Sequence, residues 1–339
     1  MASKDRAEQV HPPLVSAVVV SFNRPDHLRL VLDRLVRLPV DEILVVDNAS
    51  SDDLPGFLEL YGPKVRLLQP GSNLGASARN LAAEQARGRF LLNLDDDSFP
   101  RLGAIERCLQ AFECAPRLGI VGGVRDVDEE GRLLKLDEVG IFDWFLRGGR
   151  KQAPPASGFP AFFFPAGASM ARRDVYLEVG GFLGPLFINN IEIELTTRLL
   201  GSGWEVTYLP TTVFNHAKAP TGVTRDRSMA KYRVRNQLWY FWLHFPPKLA
   251  ARRIVAYLLF DLIEYAYRRN LSAWLQGVLE AWRDRESVRQ YRKPLPRQIL
   301  RRAELNRGRL HVRLLREQLL CRVMPGRRRK RNICAAPST

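Results

Sequence analysis

The alternation of short apolar runs with helical patterns is the feature that most limits how this chain can fold. Four runs of strand length, rich in β-branched residues or leucine, occur at residues 15–21, 41–47, 65–68 and 90–94. Between them, leucines and alanines recur at helical spacing, and the strand–helix unit repeats about every 25–30 residues. This order predicts an α/β fold with a Rossmann-like, mostly parallel central sheet flanked by helices.

Three consecutive aspartates at residues 95–97 directly follow the fourth predicted strand. Carboxylates this close raise one another's pKa unless a cation lies among them. Ligands of open α/β sheets bind beyond the carboxyl ends of the strands, and hard divalent cations share oxygen ligands with phosphates. The run therefore indicates a metal and phosphate site. The alternative is a solvated acidic turn in which Asp97 or Ser98 caps a helix that begins near Arg101.

The charge is distributed unevenly along the chain. Residues 241–339 hold 23 Lys and Arg against 7 Asp and Glu, so they carry the whole net charge of +16. This favours contact with an anionic membrane surface, whereas nucleic acid is disfavoured because no aromatic stacking motif accompanies the basic residues. The four cysteines lack metal-site or disulfide spacing, and residues 1–11 lack the apolar core of a secretory signal. We therefore expect a reducing, cytoplasmic compartment.

Amphipathic helices are predicted in this basic region. Residues 248–269 are mostly apolar, and Asp261, Glu264 and Arg268 make one polar stripe at i, i+3 and i+7. The longest stretch there without a charge, residues 254–260, is far shorter than the roughly 20 residues that a spanning helix needs. We therefore expect helices that lie on a membrane surface and do not cross it.

Six short motifs occur along the chain in order and at ordinary spacing. They are VVSFNR at 19–24, VVDNASSD at 45–52, NLGASARN at 73–80, LDDD at 94–97, FPAGA at 164–168 leading to VGGF at 179–182, and GWEV at 203–206 leading to His216. Each motif is weak alone, but together they resemble the family 2 glycosyltransferases, which have the GT-A fold. YRVRN at 232–236, followed by amphipathic helices, resembles bacterial members that add sugars to cell-surface glycans.

The resemblance also implies a division of the chain. It covers a GT-A glycosyltransferase domain at 14–245, and the composition then marks a polar tail at 1–13, a basic amphipathic helical extension at 246–323 and a disordered basic tail at 324–339. The implied activity is inverting transfer of a hexosyl or deoxyhexosyl group from a nucleotide-diphospho-sugar to a hydroxyl of a glycan or lipid-linked acceptor. The implied location is peripheral, on the inner face of the cell membrane.

Site residues follow from the resemblance, motif by motif. Contacts to the nucleotide sugar are implied for Ser21, Asn23, Asp47, Arg79, Asp95 and Asp96. A divalent cation, Mg²⁺ or Mn²⁺, is implied at Asp95, Asp97 and His216, with Asp97 as the most direct ligand and Asp96 as a spacer. Simpler alternatives stay open: Asp47 as a turn residue, Arg79 as a solvated helix residue, and His216 as a structural histidine.

The general base is where the chain departs from the family pattern. The family places an Asp after a Glu at the start of the helix that follows the acceptor loop, whereas this chain has Ile191-Glu192 there. Glu192 is therefore the predicted base, and Glu194 competes with it unless it pairs with Arg198 at i, i+4. The departure also motivates a second hypothesis: a catalytically impaired GT-A-fold module that binds a sugar nucleotide or a partner, docked on the membrane through its basic C-terminal helices.

Overall fold

The computed structural model describes residues 14–51, 54–127, 155–216 and 229–301, and strands alternate with helices within them. The strands are β1 (Val15–Ser21), β2 (Glu42–Asp47), β3 (Val65–Leu68), β4 (Phe90–Asp95), β5 (Ser98–Pro100), β6 (Leu118–Val127), β7 (Phe159–Pro160), β8 (Ala168–Arg172) and β9 (Glu205–His216). The helices are α1 (Pro25–Leu35), α2 (Leu54–Leu58), α3 (Ala78–Gln85), α4 (Ala104–Cys114), α5 (Arg173–Glu178), α6 (Ile191–Gly201), α7 (Ala230–His244), α8 (Pro247–Tyr267), α9 (Leu271–Arg283) and α10 (Glu286–Arg289). The predicted tails at 1–13 and 324–339 lie outside the described residues, and the helical extension is described only as far as residue 301.

The described strands form one sheet in the order β3-β2-β1-β4-β8-β6-β9-β5, with β7 paired to β9. The first four strands are parallel, as are β6 and β9. Strand β8 is antiparallel to both of its neighbours, β4 and β6, and the short strands β5 and β7 are antiparallel to β9. The predicted mostly parallel α/β architecture is confirmed, with an antiparallel strand joining its two parallel parts.

Alternating side chains of the buried strands build a hydrophobic core on each face of the sheet. In β1, Val18 packs into one core while Ala17 and Val19 pack into the other, as the two-residue period of a strand requires. Helix α1 covers the second core with side chains at helical spacing, namely Leu28, Val31, Leu32 and Leu35. With both faces covered, ligands can reach this sheet along its edges.

The segment that follows the aspartate run does not form the helix start that the alternative interpretation required. The run leads into the short strand β5, and α4 begins only at Ala104 after Gly103, whose φ of 77° favours glycine. Asp97 and Ser98 therefore do not cap a helix.

The C-terminal helix predicted at 248–269 is confirmed as α8, but two residues of its polar stripe, Asp261 and Glu264, face inward. Asp261 is fully buried, and the Arg233 guanidinium of α7 lies 3.0 Å from both the Asp261 and the Glu264 carboxylates. Within the described ranges, no helix combines the length and the apolar character needed to cross a bilayer.

Candidate active site

Three predicted site residues lie side by side where neighbouring parallel strands end. The register pairs Ser21 of β1 with Asp47 of β2, and Val20 of β1 with Asp95 of β4. Each of these strands reads VVS, VVD or NLD at its end, so an apolar run delivers one polar side chain to the same edge of the sheet. This is the edge at which open α/β sheets bind their ligands.

Arg79 reaches this edge from α3. Its side chain is buried, and Nη2 donates to Asp95 Oδ1 and, over 3.1 Å, to the Leu94 carbonyl oxygen. The ion pair fixes the orientation of the Asp95 carboxylate, which is one-third exposed. The alternative of a solvated helix residue at position 79 is therefore wrong.

Asp96 is not a spacer, because its carboxylate turns inward beneath the end of β1. It lies within hydrogen-bond distance of the Ser21 hydroxyl (3.3 Å) and the Phe22 amide (3.4 Å), and it is 3.4 Å from Arg24 Nη1. Burial raises the pKa of Asp96 to about 6, with the charge of Asp97 adding to the effect and Arg24 opposing it. Asp96 thus anchors the loop after β1, and its predicted contact with the nucleotide sugar stays a prediction.

Asp97 and His216 come together although 119 positions separate them in the sequence. Strand β5 pairs with β9 so that Ser98 lies opposite His216, and this register brings His216 Nε2 to 3.1 Å from Asp97 Oδ1. Arg24 Nη1 lies 3.1 Å from the other Asp97 oxygen. The predicted pairing of Asp97 with His216 at one site is therefore present in the fold.

The donor set of this pair suits a divalent cation that also binds phosphate. Among the described residues, no group of three or more His, Cys, Asp or Glu side chains is arranged to hold a metal ion. One carboxylate and one imidazole nevertheless converge at Asp97 and His216. Mg²⁺ and Mn²⁺ commonly complete their shells with waters and substrate phosphates, so two protein ligands fit such an ion.

Asp47 and Asn23 organise the two loops beside the end of β2. Asp47 Oδ1 accepts from the Ser50 amide (2.9 Å) and Oδ2 from Gln69 Nε2 (3.0 Å), while the Asn23 side-chain oxygen accepts from the Ser51 amide (2.8 Å). Asp47 therefore does have the turn-forming role that was the simpler alternative. A carboxylate has further lone pairs, so a contact with the nucleoside remains open to it.

The two candidate bases on α6 have different surroundings. Glu194 is fully buried, pairs with Arg198 in a two-point contact (2.8 and 2.7 Å), and lies 3.0 Å from His244 Nε2. Burial alone would raise the pKa of Glu194, but Arg198 and His244 outweigh burial and lower it to about 2. Glu194 is thus a structural ion-pair partner. Glu192, at the second position of α6, is half-buried and acidic in the first helical turn.

Two side chains of α7 hold the loop that leads to Glu192. Asn236 Nδ2 donates to the carbonyl oxygens of Leu186 (2.8 Å), Ile188 (2.7 Å) and Asn189 (2.9 Å). The Arg235 guanidinium donates to the carbonyls of residues 185 and 186. This loop has positive φ values at Phe187, Asn189 and Asn190, and such strain persists only where surrounding contacts enforce it.

Arg24, Arg235 and Asn236 are site residues whose roles the sequence motifs do not predict. A basic residue in the loop after β1, opposite an acidic run, is the signal that could have identified Arg24. The YRVRN motif contains Arg235 and Asn236, but it does not predict their partners, which are backbone carbonyls about 50 positions earlier.

Comparisons with known proteins find glycosyltransferases. Residues 16–180 match the family model described as glycosyl transferase family 2. N-acetylglucosaminyl-diphospho-decaprenol L-rhamnosyltransferase of Mycobacterium tuberculosis is 26% identical over 240 residues, covering 61% of this chain and 76% of the relative. Chondroitin synthase of Escherichia coli is 31% identical over 128 residues, covering 36% of this chain but only 19% of the relative. The chain thus spans a small part of that larger relative.

Solved structures show the same fold at low sequence identity. S. aureus TarS 1–349, in complex with UDP-GlcNAc, superposes with a TM-score of 0.56 at 13% identity, covering 88% of each chain. Mannosyltransferase PcManGT from Pyrobaculum calidifontis, in complex with GDP-Man and Mn²⁺, gives a TM-score of 0.52 at 18% identity, covering 93% of this chain and 82% of the other. The curled mixed sheet with its flanking helices therefore has the GT-A fold. Residues 16–180 of the chain therefore form a glycosyl transferase family 2 domain.

Proposed function

We propose that the chain is an inverting glycosyltransferase that moves a hexosyl or deoxyhexosyl group from a nucleotide-diphospho-sugar to a hydroxyl of a glycan or lipid-linked acceptor. The observation that carries this proposal is the convergence of Asp95, Asp97 and His216, with Arg79 behind Asp95, at the ligand-binding edge of the sheet. Arg79, Asp95 and Asp97 lie within residues 16–180, which match the family 2 model.

Each site residue has a defined task in this reaction. Glu192 accepts the proton of the acceptor hydroxyl while the oxygen attacks the anomeric carbon from the side opposite the leaving group. Asp97 and His216 would hold a divalent cation, which when bound supplies positive charge for the departing diphosphate. Arg79 keeps the Asp95 carboxylate oriented, and Arg24 offsets the charge of Asp96 and Asp97. Asp47 and Asn23 shape the loops that border the nucleoside.

The acceptor and location are part of the same proposal. The name of the mycobacterial relative describes a rhamnosyltransferase acting on a decaprenol-linked diphosphosugar, which is a lipid-linked acceptor. We extend that acceptor class to this chain, which would then work as a peripheral protein at the inner face of the cell membrane.

The test is release of nucleoside diphosphate from a panel of sugar nucleotides with Mn²⁺ or Mg²⁺, in the presence of polyprenyl-diphosphate-linked acceptors. Glu192→Gln should lower the turnover roughly 10²–10⁴-fold, because it removes general-base catalysis while keeping the side chain's shape. Asp97→Asn should lower turnover about 100-fold or more, because a metal ligand loses its charge. The control is Glu178→Gln, an exposed glutamate at the end of α5, which should leave turnover unchanged.

Unchanged turnover in Glu192→Gln would rule out the proposed base, and unchanged turnover in Asp97→Asn would rule out the metal site. The alternative hypothesis, a GT-A-fold module that binds a sugar nucleotide without catalysis, leads to a different prediction. It requires that sugar nucleotides raise the melting temperature of the wild type while no donor–acceptor pair releases nucleoside diphosphate.

A further inference from the structure

Helices α8 and α9 pack inward with polar and small side chains together with some large apolar ones, such as Tyr257, Tyr265 and Trp274. From α8, the carboxylates of Asp261 and Glu264 meet Arg233 of α7. From α9, the buried side is Ala273, Gly277 and Ala281. A Cβ atom at Gly277 would lie 2.6 Å from the Lys231 carbonyl oxygen and 2.7 Å from Val234 Cβ, so α7 and α9 are in close backbone contact.

Both helices nevertheless leave many large apolar side chains exposed on their outer side. Of the sixteen exposed large hydrophobic side chains in the described residues, ten lie on these two helices, so exposure of apolar surface is concentrated there. They form the outer apolar face, which consists of Val255, Leu259, Phe260, Leu262, Ile263 and Tyr267 on α8 and Leu271, Leu275, Leu279 and Trp282 on α9. On α9 the spacing is i, i+4, i+8 and i+11, which is one stripe of a helix.

Basic side chains border the outer apolar face. Exposed arginines and a lysine lie at the start of α8, in the turn between the helices and at the end of α9, at Lys248, Arg252, Arg268, Arg269, Arg283 and Arg285. Arg285 lies over the ring of Trp282, 4.3 Å from its centroid, and Trp282 is 71% exposed. Tryptophan is enriched at membrane–water interfaces, where its amphipathic ring lies at the level of the headgroups.

We propose that the outer apolar face of α8 and α9 docks on the surface of an anionic lipid bilayer, with its leucines inserted at the level of the headgroups. Exposed leucine and tryptophan on this scale favour an apolar partner, and the basic border selects a negatively charged one. Arg268, Arg283 and Arg285 pair with acidic neighbours, but the border keeps a net positive charge, so a second copy of the chain would meet a like-charged border. This inference deepens the proposed membrane location and rests on the helices alone, so it can fail independently of glycosyl transfer.

The experiment is flotation of the full chain with vesicles of phosphatidylcholine alone or with 30% phosphatidylglycerol. Wild type should bind the anionic vesicles. Leu275→Glu/Leu279→Glu should lower the partition coefficient at least about tenfold, because two inserted side chains become charged. Leu259→Glu/Ile263→Glu should do the same from α8. The matched control is Leu60→Glu/Leu102→Glu, which charges two leucines that are 77% and 85% exposed elsewhere in the domain and should bind as wild type does.

Melting curves of the same samples show whether each variant is folded, and sedimentation shows whether it is monomeric. Folded, monomeric Leu→Glu variants that have lost vesicle binding support the proposal. Three results overturn it: wild type that ignores anionic vesicles, Leu→Glu variants that bind as wild type does, or a wild-type dimer that the variants convert to monomer without any vesicle binding. If replacing the five basic residues at 327–331 with glutamine abolishes binding while the Leu→Glu variants retain it, the tail and not this face makes the contact.

Discussion

At the scale of single residues, the site depends on close packing around the Asp95 carboxylate. Gly167 lies against it so tightly that a Cβ atom at position 167 would be 2.1 Å from Asp95 Oδ2. Asp95 cannot simply move aside, because Arg79 holds its other oxygen. A glycine is required here by the neighbouring carboxylate and not by backbone conformation.

Replacing Gly167 therefore tests whether Asp95 contributes to donor binding. Gly167→Ala should lower kcat/KM for the sugar nucleotide by about tenfold or more, because the carboxylate is displaced from its pair with Arg79. Steady-state kinetics with varied donor provide the measurement. Gly184→Ala is the matched control, since its new methyl group would meet only the Ser77 hydroxyl at 3.7 Å. Equal loss in both variants, or none in Gly167→Ala, would contradict a role for Asp95.

The aspartate run shows what the sequence could and could not predict at this scale. Three carboxylates after a strand predicted a charged site, and the structure brings Asp97 to His216 as the motif order implied. The inward turn of Asp96 was not predictable, because it depends on Ser21, Phe22 and Arg24, which come from another strand and its loop. Side-chain direction within such a run is decided by tertiary partners.

At the scale of elements, α7 connects the helical extension to the proposed catalytic helix α6. His244 of α7 lies 3.0 Å from Glu194 of α6, and the Arg198 guanidinium that pairs with Glu194 also donates to the carbonyls of Val179 and Gly181. This cluster joins α6, α7 and the turn after α5. Helices that meet through buried ion pairs lose much stability when one charge is removed.

Glu194 and Glu192 should consequently give opposite results although they are two positions apart. Glu194→Gln should lower the free energy of unfolding at pH 7 by about 3 kcal/mol, because Arg198 is left without its buried partner. Glu192→Gln should cost much less stability and lower turnover roughly 10²–10⁴-fold. Urea unfolding followed by circular dichroism measures the first effect, and nucleoside diphosphate release measures the second. Equal unfolding curves for wild type and Glu194→Gln would contradict the ion-pair role.

The difference in stability between wild type and Glu194→Gln should change with pH in a definite direction. The pKa of Glu194 in the folded chain, about 2, lies below its ordinary value of 4.5. The charged form therefore stabilises the fold fully above pH 4.5, and its contribution is lost as the pH falls through 2. The stability gap between wild type and Glu194→Gln should thus be constant near neutrality and shrink between pH 4.5 and 2.

Strands and helices were predictable where the local sequence pattern was strong. They were less predictable where pairing with residues distant in the sequence determines the structure. Strands β1 to β4 follow from β-branched and leucine runs. Strand β8 reads ASMAR and has no such run, and its place between β4 and β6 depends on pairing across the sheet. The direction of the α8 polar stripe was likewise unpredictable, because Arg233 of α7 draws Asp261 inward.

At the scale of the whole molecule, the candidate site draws on both halves of the sheet. Asp47 and Asp95 come from the parallel strands β2 and β4, whereas His216 comes from β9 beyond the antiparallel strand β8. A ligand held by all three contacts would tie these halves together. The outer apolar face lies on α8 and α9, which are separate elements.

Ligand binding should therefore stabilise the whole domain in a way that separates the two proposals. A nucleoside diphosphate with Mn²⁺, at about 100 times its Kd, should raise the melting temperature by roughly 5–10 °C. EDTA should remove the metal-dependent part of this shift in wild type, and His216→Ala should lack that part from the start, because the variant has lost one of its two protein ligands. Leu275→Glu/Leu279→Glu should keep the full shift, since membrane docking and nucleotide binding use different surfaces. A shift insensitive to both EDTA and His216→Ala would contradict a metal held at Asp97 and His216 while leaving nucleotide binding intact.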